Sequence, residues 1–278
     1  MSVLDYFKST PSITPDQVRT LIAEKKSDEY CLLDVRQPAE YEQGHIPGAR
    51  LIPLSELSFK MGEMDQNRQT VVYCRSGNRS LSATSMLMGA GFQNVLNMEG
   101  GIMAYNGIVA GGPPEAGMFC FPETLSAGQL AAVAWFLEDG TIRFIDEMSK
   151  RFSSDDKSSV LSSRIATREE HKQRLEELYT ELTGDDPSSD FPGDVIDVPT
   201  DTVMVGCVKT DAAIAWADGK TLNDILELMI SLGANGYDLY LKLGRAVSSD
   251  DARKVFNSLS DEEQKNIEYI ASEFEKTL

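Results

Sequence analysis

A chain of 278 residues, 41% hydrophobic and 25% charged, is long enough for two domains and has the make-up of a soluble globular protein. Its formal net charge of −18 is lopsided: through residue 110 there are 10 basic and 12 acidic side chains, and beyond it 16 and 32. That acidity argues against nucleic acid or an anionic membrane as partner, because phosphates are repelled. No apolar run approaches the ~18 residues of a membrane span. The opening MSVLDYFKST lacks the basic-then-apolar order of a secretory signal, so a cytoplasmic chain is expected.

Thr14-Pro15-Asp16-Gln17 reads as a capping box with Pro at the first helical position, and Val18, Leu21 and Ile22 follow at helical spacing. Cys31 to Val35 is a short apolar strand, and Thr70 to Tyr73 a second, β-branched and aromatic. Arg79 to Met88 predicts a helix stopped by Gly89 and Gly91, and Val95 to Met98 a third strand. The alternation favours an α/β sheet with parallel character. GGPPEAG, residues 111 to 117, breaks regular structure and marks a boundary, giving domains 1–112 and 113–278.

The second segment reads as helical throughout, and it repeats. A shift of 95 residues lays Ser153-Ser154-Asp155-Asp156 on Ser248-Ser249-Asp250-Asp251. The same register lays Val160 on Val255, Ser163 on Ser258, Leu175 on Ile270 and Tyr179 on Phe274. A duplicated helical hairpin explains this, and two hairpins make a four-helix bundle. Asp185 to Pro199 is the connection between the halves, expected to be exposed and loosely structured. The four cysteines are scattered with no CxxC pair, so a structural zinc or dithiol motif is not expected. Cytoplasmic thiols should be reduced, and Cys31, Cys120 and Cys207 are read as small buried hydrophobes.

The sharpest motif is Cys74-Arg75-Ser76-Gly77-Asn78-Arg79-Ser80, between an apolar strand and a helix. There the amides of the helix start, its dipole and two guanidinium groups would stabilise a Cys74 thiolate and hold the anion of a substrate. Gly77 lets the backbone turn closely. Cysteine-dependent phosphatases use a wider Cys-x5-Arg loop. Here Arg79 follows Cys74 as Cys-x4-Arg, with no candidate acid in the loop, and the tighter cradle suits a sulfur atom better than a phosphoryl group.

Leu32-Leu33-Asp34-Val35-Arg36, Glu40-Tyr41 and Gly44-His45-Ile46-Pro47-Gly48-Ala49 resemble the rhodanese signature, as do the CRSGNRS loop and Glu99-Gly100-Gly101-Ile102. The resemblance covers roughly residues 10 to 110 and implies a small α/β domain with a central, mainly parallel sheet. It implies a sulfurtransferase that carries sulfane sulfur as a persulfide on Cys74. Arg75 and Arg79 would bind an anionic donor, and the amides of Arg75, Ser76, Gly77, Asn78 and Arg79 would cradle the terminal sulfur. Asp34 and Arg36 would brace the site, and His45 would hydrogen-bond locally. Tyr105 stands where many relatives have Trp. The donor would be thiosulfate, a polysulfide or a persulfide, the acceptor a thiol or cyanide, and no cofactor is required for the transfer. A carrier or sensor of sulfane sulfur with little turnover fits the same loop.

Leu137-Glu138-Asp139-Gly140 leading to Phe144, and Glu170-His171 leading to Leu175, Leu178 and Tyr179, resemble the ferritin-like domain of rubrerythrins. The resemblance implies an all-α four-helix bundle, capable of pairing as a homodimer, whose Glu and Glu-x-x-His residues hold two iron atoms. Of that set Glu138, His171 and Glu263 remain. Gly233, Arg168 and Asn266 stand at the other expected positions. A metal-free scaffold is the leading expectation. A single ion on Glu138, His171 and Glu263, or a di-iron peroxidase, are the alternatives.

Overall fold

A computed structural model describes residues 10–154 and 159–276. The first nine residues of the opening stretch, and Asp155 and Asp156 of the repeated tetrapeptide, lie outside the described residues. The chain divides into two compact units, Met1–Pro114 and Glu115–Leu278.

In the first unit the strands are β1 (Ser12–Ile13), β2 (Tyr30–Asp34), β3 (Arg50–Leu51), β4 (Gln69–Tyr73) and β5 (Val95–Met98). The helices are α1 (Pro15–Glu24), α2 (Pro38–Glu42), α3 (Leu57–Lys60) and α4 (Asn78–Gly89). The Thr14 capping box starts α1, with Gln17 and Thr14 each accepting from the other's backbone amide, and α1 buries Val18 and Leu21. The strands form one sheet in the order β1-β5-β4-β2-β3, parallel throughout.

Strand β4 is central, and its residues alternate between two cores. Val71 and Tyr73 pack on one face with Val18, Leu21, Tyr41 and Ile46. Val72, and Cys74 just beyond the strand, pack on the other with Leu57, Ala83 and Leu87. Burial on both faces explains why the central strands read as continuous apolar runs instead of alternating ones. Each fully buried side chain of Leu or Val size stabilises the sheet by about 1.5–3 kcal/mol. The elements β1, β3, α2 and α3 have two to five residues each, too few to show a period in the sequence.

The second unit is largely helical: α5 (Ala127–Arg151), α6 (Ser159–Thr183), α7 (Thr210–Trp216), α8 (Leu222–Ala246) and α9 (Asp250–Glu275). Ser126 caps α5 and Thr221 caps α8 with the same capping box, and both helices run 25 residues. The two caps are one repeat length apart, so the repeat seen in the sequence carries the helix starts with it. The unit is not helical throughout. An antiparallel hairpin, β6 (Val203–Met204) and β7 (Val208–Lys209), precedes α7. Such short strands have no period to read, and long-range bonds hold them. The Val205 amide donates to the Thr141 hydroxyl at 3.1 Å, and Gly140 leaves room for the Val203 carbonyl where a Cβ would collide.

Residues 185 to 199 have no regular element and are mostly exposed, yet the segment is pinned. Phe191 packs edge-on against Trp135 and Tyr179, and Pro192 is buried. Two apolar clusters form the core. One contains Phe144, Leu161, Ile225 and Ile270, the other Leu130, Leu175, Tyr240 and Val255. No helix among the described residues is long and apolar enough to cross a membrane.

Candidate active site

Strand β4 ends at Tyr73, and Cys74 follows it at the carboxyl edge of the parallel sheet, where open α/β sheets bind ligands. The chain then turns through Gly77, whose φ of +96° is strained for any residue with a Cβ, and enters α4 at Asn78. No side chain caps α4, so its first amides remain directed at the turn. The Gly77 amide donates to the Cys74 Sγ at 3.2 Å. The Ser80 hydroxyl lies 3.5 Å from the same sulfur and 3.0 Å from the Gly77 carbonyl, and its one proton serves one of them at a time.

Cys74 is only 1% exposed. Burial pushes its thiol pKa up. The Ser80 hydroxyl and the amides of Ser80, Ser76 and Gly77 pull it down by more, so it lies below the ordinary thiol value. The loop is thus built to hold sulfur as an anion with neutral donors.

The Glu99-Gly100-Gly101-Ile102 segment braces the loop from behind. The Ile102 amide donates to the Cys74 carbonyl at 2.8 Å, and the Met103 amide to the Arg75 carbonyl at 3.1 Å. Gly101, at φ +59°, presses so close to Cys74 and Arg75 that a Cβ there would overlap their backbone. Gly77 in turn lies against Gly100, where a Cβ would meet the Gly100 nitrogen at 3.3 Å.

Arg75, Ser76 and Asn78 are exposed around the rim of the loop. Arg79 is half-buried and does not stand free for an anion: its guanidinium makes two bonds of 2.7 Å to Glu40. The Arg79 hydrogen bond holds the Glu40 carboxyl down at about 2, well below the usual carboxylate range. Glu40 raises Arg79 in return, and the nearby Cys74 sulfur adds to the effect. Glu40 was visible in the sequence as a landmark, but nothing local showed that it pairs with Arg79. Ser80 likewise stands in the motif with no role that the sequence alone assigns. Its sixth place after Cys74, in the first turn of a helix that wraps back over the loop, is the signal that finds it.

Asp34 and Arg36 are buried and bind one another. The Arg36 amide and Nε donate to Asp34 at 2.9–3.0 Å, and Nη2 reaches both Asp34 and the Gly44 carbonyl, the latter at 2.7 Å. They tie the end of β2 to the segment carrying His45. His45 is buried, stacked on Tyr41 with ring centroids 3.6 Å apart, and its Nδ1 lies 3.0 Å from the Tyr41 carbonyl. Burial raises the Tyr105 hydroxyl to about 12.

In the helical unit the repeat brings Glu138, Arg168, His171, Glu263 and Asn266 together, all buried. On α5, α6 and α9 these residues fall between one apolar cluster and the other, so they form a polar layer across the core. Arg168 lies between the carboxylates, at 2.8 and 3.0 Å from Glu138 and 2.8 and 3.0 Å from Glu263. Burial pushes Glu138 up, but Arg168, and then His171, outweigh it and hold the carboxyl below its ordinary value. His171 Nε2 is 2.7 Å from Glu262, and Asn266 donates to Glu263 at 3.2 Å. This set does not fit a metal ion, because a guanidinium fills the place between the two carboxylates that a cation needs. Among the described residues no group of three or more His, Cys, Asp or Glu side chains is placed to hold one.

The cysteines depart from expectation. Cys31, Cys120 and Cys207 are half-buried, not fully buried. Cys120 and Cys207, 87 residues apart, are joined as a disulfide with a Cα–Cα distance of 6.3 Å. Spacing in the sequence carried no sign of it, because the hairpin β6–β7 and the turn at Met118–Cys120 are brought together only by packing.

Comparison with known proteins places residues 14–107 in the Rhodanese-like domain family. A sulfurtransferase of Allochromatium vinosum is 43% identical over 79 residues, which are 28% of this chain and 74% of that protein. MoeZ of Mycobacterium tuberculosis is 36% identical over 96 residues, 34% of this chain and 24% of that protein. The chain therefore spans about a quarter of the length of that longer relative. The crystal structure of a rhodanese-like domain protein from Staphylococcus aureus matches at 30% identity and a TM-score of 0.33, covering 34% of this chain and 91% of that one.

Proposed function

The chain belongs to the rhodanese-like family through residues 14–107, and from that premise we propose that it moves sulfane sulfur from an anionic donor such as thiosulfate to a thiophilic acceptor through a persulfide on Cys74. One observation carries the reading: the Cys74 sulfur is buried at the carboxyl end of β4 and receives the Gly77 amide at 3.2 Å, with the thiol pKa lowered. The thiolate attacks the outer sulfur of the donor, the donor's sulfur–sulfur bond breaks, and with thiosulfate the remainder leaves as sulfite. Cyanide or a thiolate then attacks the outer sulfur of the persulfide, and the Cys74 thiolate is released. The helix-start amides hold negative charge on sulfur in both steps. The thiolate that these donors favour attacks without a general base.

Exposed Arg75 provides the first charge that a donor meets. Arg79, neutralised by Glu40, orients the loop more than it attracts anions. Asp34 and Arg36 act as supports. The helical unit is read as a ferritin-like, rubrerythrin-like bundle that has given up its iron and serves as a scaffold for pairing two copies of the chain. The duplicated helix starts and the polar layer support the bundle reading, and Arg168 argues against a di-iron peroxidase. The whole chain is assigned to the cytoplasm.

The test is thiocyanate formation from thiosulfate and cyanide by purified protein beside Cys74→Ser. Turnover that disappears in the variant supports the transferase. A wild type that takes up sulfur from polysulfide without turning over is a carrier, and turnover that survives in the variant overturns the role of Cys74.

A further inference from the structure

The helical unit holds a second pair of sulfur atoms with no part in the chemistry above. Cys120 ends a short turn at Met118–Cys120, and Cys207 sits in the turn between β6 and β7. Both residues are half-buried and so keep some surface toward solvent. The disulfide is not what holds these turns in place. Phe121, next to Cys120, is buried edge-on against Tyr240 and Phe256. Met204 and Val205, just before Cys207, are 2% exposed, and the Val205 amide is held by Thr141. Cys207 has φ +58°, the sole non-glycine positive φ among the described residues, a strained conformation of the kind kept at working sites. The opened state also has a partner ready, because the Gly117 carbonyl lies 3.3 Å from the Cys207 Sγ and accepts its thiol proton. Disulfides that are partly exposed or sit at strained positions are the labile ones, from which redox-active pairs are drawn.

We propose that Cys120 and Cys207 are a redox-active dithiol–disulfide pair that reduces the sulfane sulfur of small persulfides to hydrogen sulfide. Cys207, its proton held by Gly117, is the resolving thiol, and Cys120 attacks first. The Cys120 thiolate attacks the outer sulfur of a persulfide R–S–SH. The sulfur–sulfur bond breaks, R–S⁻ leaves and takes up a proton, and Cys120 carries a persulfide. Cys207 loses its proton to water and attacks the Cys120 Sγ. The new persulfide bond breaks, hydrosulfide leaves, and the Cys120–Cys207 disulfide closes. In sum, one persulfide and two thiols give one thiol, hydrogen sulfide and one disulfide. The outer sulfur gains two electrons and the two cysteines lose them. A dithiol reductant, small or protein-borne, reopens the pair. This activity is separate from transfer through Cys74.

The experiment uses the full chain carrying Cys74→Ser, reduced with dithiothreitol, desalted without oxygen and mixed with glutathione persulfide. The expected result is a burst of sulfide stoichiometric with protein, with Cys120 and Cys207 recovered as a disulfide in the peptide map. Adding Cys120→Ser or Cys207→Ser drops sulfide to the protein-free level, and the Cys207→Ser chain keeps an extra sulfur on Cys120 that alkylation traps. Melting curves of both variants confirm that they fold. In the otherwise unvaried Cys74→Ser chain, a disulfide that dithiothreitol does not open in the folded state overturns the proposal. So does a pair that closes without releasing sulfide, or a burst that survives both serine variants.

Discussion

Arg168 holds Glu263 with two bonds, of 2.8 and 3.0 Å, and the two residues occupy the same position of the two halves of the helical repeat. One half contributes the cation and the other the anion, so duplicated positions have become partners. A single guanidinium thus binds two buried carboxylates. Removing one member leaves charge buried without a partner, which is costly, whereas replacing the set by apolar groups is close to neutral. Arg168→Met is expected to lower unfolding free energy by about 3–5 kcal/mol. Replacing Glu138 and Glu263 by Leu as well should recover most of it. Urea titration of the variants checks both. A chelator should leave the melting temperature of the wild type unchanged. Glu138 is lowered by Arg168 and His171, so its contribution to stability is complete above the unfolded carboxyl value of about 4.3 and is lost as pH falls below it.

The Cys74 thiol is pushed up by burial and pulled further down by Ser80 and the loop amides. Single-turnover sulfur uptake should therefore rise with pH through an inflection that lies below that of an ordinary thiol. Ser80→Ala should move the inflection to higher pH and slow uptake at neutral pH by roughly fivefold, the worth of a hydrogen bond of about 1 kcal/mol. A stopped-flow pH series on the two proteins decides it.

Glu40, held down at about 2 by Arg79, has a folded pKa below its unfolded one. The stability it contributes is complete above about pH 4.3 and is lost as pH falls toward 2. The pair is about a third exposed, so the effect is about 1 kcal/mol or less. Glu40→Gln should flatten that part of the acid limb, read as thermal midpoint against pH for the two proteins.

Gly101 is where the brace meets the Cys74 loop, at φ +59° with no space for a Cβ. Gly101→Ala should cost about 2 kcal/mol or more and reduce sulfur transfer. Gly89, at the exposed end of α4 with nothing within 4 Å of a Cβ, is the control: Gly89→Ala should change stability by about 0.5 kcal/mol or less. Chemical denaturation and an activity assay on both variants make the comparison.

What could be read in the sequence was what is local or repeated. The Thr14 capping box, strands β4 and β5, the turn at Gly77 and the 95-residue repeat each depend on neighbouring residues or on self-similarity. What escaped was made by packing across the chain. Glu40 reaches Arg79 over 39 residues, and Cys120 reaches Cys207 over 87. Arg168 illustrates the difference: the repeat alone shows that it stands where a metal ligand is expected. That it lies between Glu138 and Glu263, and binds both, came from the geometry.

The most direct test of the account is a mass measurement on the Cys74 peptide after the wild type meets thiosulfate, before and after cyanide is added. The account predicts a peptide one sulfur atom heavier that returns to its starting mass as thiocyanate forms. Thiocyanate formed while the Cys74 peptide never gains sulfur would contradict it.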